Sequence, residues 1–263
     1  MMLIFFAFGR NNGEHLESIL DKKGSGERYN ILVMGTDKDE SRSDVMMICS
    51  VDKKHNSVNV MSVPRDTRVI IGNSYQKLNA AVGIGSDELT IKLIKELTGV
   101  KIHDYVKVNF KAVEDIIDAF GGVRYNVPQN MDYDDPYQDL HIHIKKGEQK
   151  LNGEQALQLL RFRQYPMGDL QRIQVQQDFL RELVRQKSNL IYIFKAKSIY
   201  KAATDNMTTT LSAGDVSGLA FGLLGIKKDD VKTFEYPYHF SQSGIYIITD
   251  KDKLNTIIEE NFR

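Results

Sequence analysis

Tyr29-Asn30-Ile31-Leu32-Val33-Met34-Gly35-Thr36-Asp37 is the stretch that decides the fold. A short apolar run closed by Gly-Thr is the pattern of a buried strand, and it ends in a loop that carries a carboxylate. Working outward, Val45 to Val51 and Val58 to Val63 repeat the pattern across the polar turn Asp52-Lys53-Lys54-His55-Asn56, so three neighbouring strands are expected. Ser86 or Asp87 caps a helix through Leu97, with Leu89, Leu93, Ile94 and Leu97 at helical spacing and Gly99 closing it. A helix from Lys111 to Phe120 follows and stops at Gly121-Gly122.

Beyond it, Gly122 to Val127 and His141 to Ile144 read as strands, with the acidic stretch Asp132-Tyr133-Asp134-Asp135-Pro136 as a loop between them. Asn152 to Leu160 predicts a short helix, and Asp169 opens a long amphipathic one through about Arg185. Helices from Leu190 into Ala202 and from about Ser212 to Leu224 come next, then strands Val231 to Tyr236 and Gly244 to Ile248. Alternation of strands and helices predicts an α/β fold built in layers. No internal repeat interrupts it.

With 263 residues, 41% of them hydrophobic, the chain is long enough for one main unit with a sizeable core. Thirty-five basic residues balance thirty-five acidic ones, so no whole-molecule field draws nucleic acid or an anionic membrane. Any charge-based function is therefore local. The single Cys49 excludes an intramolecular disulfide, and its apolar strand makes it a buried, inert thiol. Residues 1–27 read as an N-terminal segment and linker ahead of a domain at 28–263. The first eight residues are apolar, but a spanning helix needs about 20, so they are either a disordered end or the outer end of a membrane anchor.

The charged residues at element ends need an explanation. Arg42-Ser43-Asp44 sits at a strand mouth, where ligands of α/β folds bind. Pro64-Arg65-Asp66-Thr67-Arg68 closes the next strand, and a hairpin returns the end of the second strand to the start of the first. Asp44 and Arg65 should therefore be neighbours. Arg161 and Arg163 flank Phe162 and share a side if the segment is extended. Asp169, Arg172 and Gln176 share one face of the long helix, and Asp169 complements the positive end of its dipole.

Five arginines and at least three carboxylates at element ends suit phosphoryl transfer, whose cost lies in neutralising charge on non-bridging oxygens. The planar guanidinium grips phosphate bidentately and stays charged. Carboxylates beside arginines suggest Mg²⁺, typically held by one or two carboxylates plus substrate phosphates, and Asp37 and Asp44 are the ligand candidates. Taken singly, each of these is an ordinary surface ion pair. It is their joint placement that carries weight.

Gly35-Thr36-Asp37, Arg42-Ser43-Asp44, Ser62-Val63-Pro64-Arg65-Asp66-Thr67, Lys77-Leu78-Asn79-Ala80-Ala81, Gly121-Gly122-Val123, Leu151 to Leu157, Arg161-Phe162-Arg163, and Gly168-Asp169 through Arg172 to Gln176-Gln177 together resemble the LytR-CpsA-Psr family. The likeness is strongest over residues 28–190. It implies a layered α-β-α fold with a central mixed sheet flanked by helices and an apolar lipid-binding tunnel between sheet and helices. It also implies an enzyme that moves a glycopolymer, such as teichoic acid or capsular polysaccharide, from a polyprenyl pyrophosphate carrier to a peptidoglycan acceptor. The muramic acid hydroxyl attacks the sugar-proximal phosphorus and polyprenyl phosphate leaves. By the same resemblance Arg42, Arg65, Arg161, Arg163 and Arg172 hold the pyrophosphate with Gln176 and Lys77 assisting, and Asp37, Asp44 and Asp169 serve Mg²⁺ or activate the acceptor. The protein is then expected on the extracellular face of the bacterial membrane, held by an N-terminal anchor. Phe110, Ile116, Phe120, Phe179 and Leu183 are candidates for tunnel lining or for core. One departure stands out, Val175, where the family often has Arg.

A polyprenyl-pyrophosphate-binding protein or a pyrophosphatase would need the same residues and stays open beside the ligase. The family's older naming as transcriptional attenuators makes a DNA-binding regulator the rival from another class, but zero net charge and the lack of helix-turn-helix spacing or a basic stripe oppose it. No Gly-Lys-Ser/Thr phosphate loop exists, so ATP is not the expected donor. His141 and His143 face one side, but no third His or Cys stands at metal spacing, so they read as strand histidines rather than a zinc site.

Overall fold

The computed structural model describes residues 18–22, 28–36, 42–84, 86–137 and 140–263, apart from the side chains at 169, 193, 197, 202 and 205. β1 (Tyr29–Thr36), β2 (Ser43–Asp52) and β3 (Ser57–Ser62) form an antiparallel meander, as the opening stretch predicts. A small hairpin of β4 (Arg68–Ile71) and β5 (Ser74–Lys77) follows. Then comes α1 (Asp87–Thr98), with the Ser86 side chain accepting from Leu89 N and left-handed Gly99 closing it.

β6 (Asp104–Val108) runs parallel to β1 and leads through the cap Asn109 into α2 (Phe110–Ala119). Two further hairpins come next in the chain. β7 (Val123–Val127) pairs with β10 (Gly147–Leu151), and inside that pair β8 (Met131–Asp135) meets β9 (Leu140–Ile144). The acidic stretch expected to be a loop is thus mostly strand. Its Asp-Tyr-Asp alternation places Tyr133 toward the protein and Asp132 and Asp134 toward solvent, a half-exposed strand whose charges mask its period.

α3 (Gly153–Arg161) starts at a reciprocal cap, in which the Asn152 side chain accepts from Gln155 N and Gln155 Oε1 accepts from Asn152 N. α4 (Asp169–Lys187) and α5 (Leu190–Ala203) follow, then β11 (Met207–Thr209), α6 (Ala213–Gly222) and β12 (Val231–Phe234). The chain closes with the hairpin β13 (Tyr238–Phe240) and β14 (Ile247–Thr249), and with α7 (Lys251–Asn261). The predicted single strand from Gly244 is confined to Ile247–Thr249, and α7, unforeseen, caps on Asp250.

The central sheet has the order β11-β6-β1-β2-β3-β12 and mixes parallel and antiparallel pairs. Strand alternation divides its two faces. Leu32, Met34, Met46, Ile48 and Met61 meet Ile91 and Ile94 of α1 and Leu254 and Ile258 of α7. Met47, Val51, Val58 and Val60, with Val33 and Val45, meet Leu180 and Val184 of α4 and Leu219 near the end of α6. The result is a layered α-β-α molecule with a mixed sheet at its centre, as expected. A third cluster joins the two inserted hairpins to α3 and α4, and Val175 lies in it beside Phe162, Tyr165 and Phe179. Valine at this position therefore serves the core, 6% exposed, and lies outside the cavity lining.

Residues 18–22, expected in the linker, dock on the folded unit. Asp21 Oδ2 accepts from Ile102 N at 2.9 Å and pairs with Lys95 Nζ at 2.7 Å, while Ile19 and Leu20 pack on the α1 side of the core. Cys49 is partly buried, and burial pushes its thiol up to about 12, so it is protonated and unreactive at neutral pH. Among the described residues no helix is long and apolar enough to cross a membrane.

Candidate active site

The loop Pro64 to Thr67 is the local structure on which the site depends. Val63 N donates to Met46 O at 2.8 Å, so the meander's ladder continues to the strand mouth. The chain then turns, with Thr67 Oγ1 and Thr67 N both donating to Pro64 O. Leu78 N bonds Thr67 O and Asn79 N bonds Arg65 O, so the segment after β5 clamps the turn from outside. This turn directs Arg65 across the mouth to Asp44, with Nη1 2.6 Å from Oδ1. The neighbours inferred from the hairpin do meet.

Asp44 Oδ2 takes a second guanidinium, Arg163 Nη2, at 2.8 Å. Burial alone would raise the Asp44 pKa, but the hydrogen bond from Arg65 and the charges of Arg65, Arg163 and Arg172 outweigh it and hold the carboxyl below the usual range. Asp44 is therefore a carboxylate at neutral pH and a poor proton acceptor. Since its folded pKa lies below the unfolded one, its stabilisation is complete above the ordinary value of 3.8 and lost as pH falls through the lower folded value. Asp44→Asn should accordingly cost stability at pH 7, where three arginines would face one another, and the gap from wild type should narrow below pH 4. Urea unfolding of both proteins from about pH 7 down to about pH 3 measures this, and a gap independent of pH would contradict it.

A cavity of about 490 Å³ opens over this cluster. Gly35, Thr36, Asp44 and Val45 line it from the strand mouths, Arg161 from the end of α3, Arg163 from the connection that follows, and Arg172 and Gln176 from α4. The rest of its wall is largely apolar and aromatic: Val108, Phe110, Val113, Tyr133, Leu140, Leu157 and Leu160. Arg161 is the last residue of α3 rather than part of an extended segment. Phe162 leaves the helix with an extended backbone and buries its ring, so the flanking arginines both reach the cavity. The Arg161 guanidinium stacks over Phe110 at 4.3 Å. Arg172 is 3% exposed although it borders the cavity, and Gln176 Nε2 donates to Leu160 O at 2.9 Å, which joins α4 to α3.

The remaining sequence candidates lie as follows. Arg42 is exposed one residue ahead of β2. Lys77 pairs with Asp66 at 2.9 Å, beside the Arg65 turn and outside the cavity lining. Asp169 opens α4, but its side chain lies outside the described residues, as does the whole of Asp37. Of the apolar candidates Phe110 lines the cavity, whereas Phe179 stacks edge-on against Tyr125 in the core and Phe120 against Tyr192. Tyr133 and Leu140 were missed because their hairpin was read in part as a loop. Val113, Leu157 and Leu160 sit at helical spacing like any core residue.

A second cavity, of about 540 Å³, lies between the β7–β10 hairpin and α4. Its charges cancel locally, since Glu182 pairs with Arg185 at 2.7 Å and Lys228 at 2.9 Å. It offers no net field to an anion. The first cavity does: among the described residues three arginines on its wall stand against one carboxylate, that of Asp44.

The fold is thus an α-β-α sheet with an arginine-rich, partly apolar cavity at its strand mouths, a lining whose chemistry suits an amphiphilic anion. The LytR_cpsA_psr family model matches residues 9–263, and the chain belongs to that family. It is 32% identical over 217 residues to the polyisoprenyl-teichoic acid–peptidoglycan teichoic acid transferase TagV of Bacillus subtilis (strain 168), a match that covers 78% of this chain and 55% of TagV. The chain thus spans about half the length of that relative. With TagU of the same organism, likewise named a teichoic acid transferase, identity is 27% over 240 residues, covering 88% of this chain and 76% of TagU. The crystal structure of B. subtilis TagV superimposes with a TM-score of 0.77 at 27% identity, covering 90% of this chain and 98% of that one.

Proposed function

We propose that the chain transfers a glycopolymer from a polyprenyl pyrophosphate carrier to peptidoglycan and releases polyprenyl phosphate. The observation that carries this reading is the shared cavity, where Arg161, Arg163 and Arg172 stand on the same wall as Phe110, Val113, Leu157 and Leu160. A diphosphate on an apolar chain needs both surfaces at once. The names of TagV and TagU support the same acceptor and cargo.

In this reading Arg65, Arg161, Arg163 and Arg172 neutralise the non-bridging oxygens, with Gln176 adding a polar group, Arg42 and Lys77 joining from the rim, and the apolar wall serving as the start of the lipid tunnel. The acceptor hydroxyl attacks the sugar-proximal phosphorus, and the bond to the bridging oxygen breaks. Asp44, held as a carboxylate by two guanidiniums, fixes the spacing of Arg65 and Arg163. Its weak basicity leaves the acceptor's proton to Asp37 or Asp169. Asp44 also fits a role as a Mg²⁺ ligand, since each of its oxygens accepts one hydrogen bond and keeps a lone pair, and Asp37, outside the described residues, would be the second carboxylate by the family resemblance alone. Bound there, the ion would supply further charge neutralisation on the diphosphate. Held by an N-terminal anchor on the outer face of the membrane, the enzyme would meet both donor and acceptor.

The test is incubation with a glycan-linked polyprenyl pyrophosphate and isolated peptidoglycan. Glycan in the insoluble wall fraction together with polyprenyl phosphate is the expected result. Polyprenyl phosphate without wall-linked glycan would replace transfer with hydrolysis, and neither product would overturn the reading.

A further inference from the structure

The outer face of the β8–β9 hairpin carries a second constellation, unrelated to the arginine cavity. The strands pair antiparallel with Asp132 opposite His143 and Asp134 opposite His141. Leu140, Ile142 and Ile144 point into the core and Tyr133 toward the cavity, so alternation places all four polar side chains on the solvent face. His143 Nδ1 lies 2.7 Å from Asp132 Oδ1, and His141 Nδ1 lies 2.5 Å from Asp134 Oδ1. His143 Nε2 lies 3.4 Å from that same Asp134 oxygen. One ligating atom from each of Asp134, His141 and His143 falls within 4.8 Å of the others. The third ligand that the sequence lacked as a His or Cys is an aspartate from the facing strand.

We propose that Asp134, His141 and His143 bind a Zn²⁺-class divalent ion on this face, with Asp132 orienting His143. The donor set decides the class of ion. Two imidazoles and a carboxylate suit Zn²⁺, Cu²⁺ or Ni²⁺, whereas Mg²⁺ prefers an all-oxygen shell. Spacing agrees too. Ligands about 2.0–2.1 Å from a tetrahedral ion lie about 3.3 Å apart, close to the His143–Asp134 separation. The His141–Asp134 contact has to open slightly, which exposed side chains do by rotating about χ1 and χ2. Asp132 on His143 Nδ1 is the carboxylate partner that fixes a metal-binding imidazole and presents its Nε2. Three protein ligands leave a position for water, so the site is open rather than a closed structural cage. Bound metal would cross-link the two strands whose other face supplies Tyr133 and Leu140 to the cavity.

The experiment is a ZnCl₂ titration of the untagged protein, followed by calorimetry and by competition with a chromogenic chelator. One equivalent bound with a dissociation constant on the order of micromolar is expected, unaffected by millimolar Mg²⁺. His141→Ala and His143→Ala should each weaken it about tenfold or more, and Asp132→Asn should weaken it by about tenfold through loss of orientation. His55→Ala is the control, because His55 forms the same kind of surface pair with Asp52 at 2.7 Å. Zinc should raise the melting temperature of the wild type and not that of the His141→Ala/His143→Ala double variant. Absence of binding at about 100 µM Zn²⁺, or undiminished binding by the double variant, would overturn the proposal.

Discussion

Arg163→Ala is expected to reduce glycan transfer by about 10²- to 10³-fold while leaving the fold intact. The side chain is 45% exposed and bonds Asp44 from one side, and Arg65 holds the same carboxylate from the other. Removing Arg163 therefore strands no buried charge, and the melting temperature should move little. What disappears is a guanidinium at the cavity wall that would face the charge developing on the transferred phosphorus. Arg163→Lys separates charge from shape. It keeps the positive charge but loses the planar fork, and should recover only part of the rate. Single-turnover transfer assays on the three proteins decide this, and wild-type turnover by the alanine variant would remove Arg163 from the reaction.

Gly153→Ala should destabilise the protein by about 3 kcal/mol, the upper end of overpacking costs. A Cβ at position 153 would lie 2.4 Å from Glu114 O and 2.8 Å from Glu114 C and Cα, all backbone atoms of α2 that cannot swing aside. The close approach also positions Gly153 N to donate to Asp118 Oδ1 at 2.7 Å. The first turn of α3 and the middle of α2 are thus in backbone contact, and the two helices supply Val113, Leu157 and Arg161 to the cavity. Thermal unfolding should show a drop of roughly 10 °C, and transfer should suffer because α3 is displaced. A variant with native stability would mean that α2 and α3 can separate at no cost.

What the sequence revealed follows from what periodicity can encode. The Tyr29–Ser62 meander was legible because both faces of its strands are buried, leaving near-continuous apolar runs broken only by turns. Asp44 and Arg65 could be paired in advance because a hairpin fixes which ends meet. β8 was not legible, since Asp132 and Asp134 alternate with one aromatic and the stretch has the composition of a loop. α7 left a signal that went unread. Asp250 caps it, and Leu254, Ile258 and Phe262 recur every four residues into the core. The cavity wall was out of reach for a different reason, because Val113 or Leu160 lining a cavity has the same spacing as a residue filling a core.

Arg172 and Arg163 border one cavity in different states of freedom. Arg172, almost fully covered, gave up its rotamers when the chain folded, and the Gln176–Leu160 bond nearby keeps α4 in step with α3. Arg163 is nearly half uncovered, and its polar contact is with Asp44. A dianion bound as the proposed function requires would meet one template already in place and one arm still to be ordered. The entropic cost of its capture would fall on Arg163, about 0.5–1.5 kcal/mol for an immobilised long side chain, with little added by Arg172.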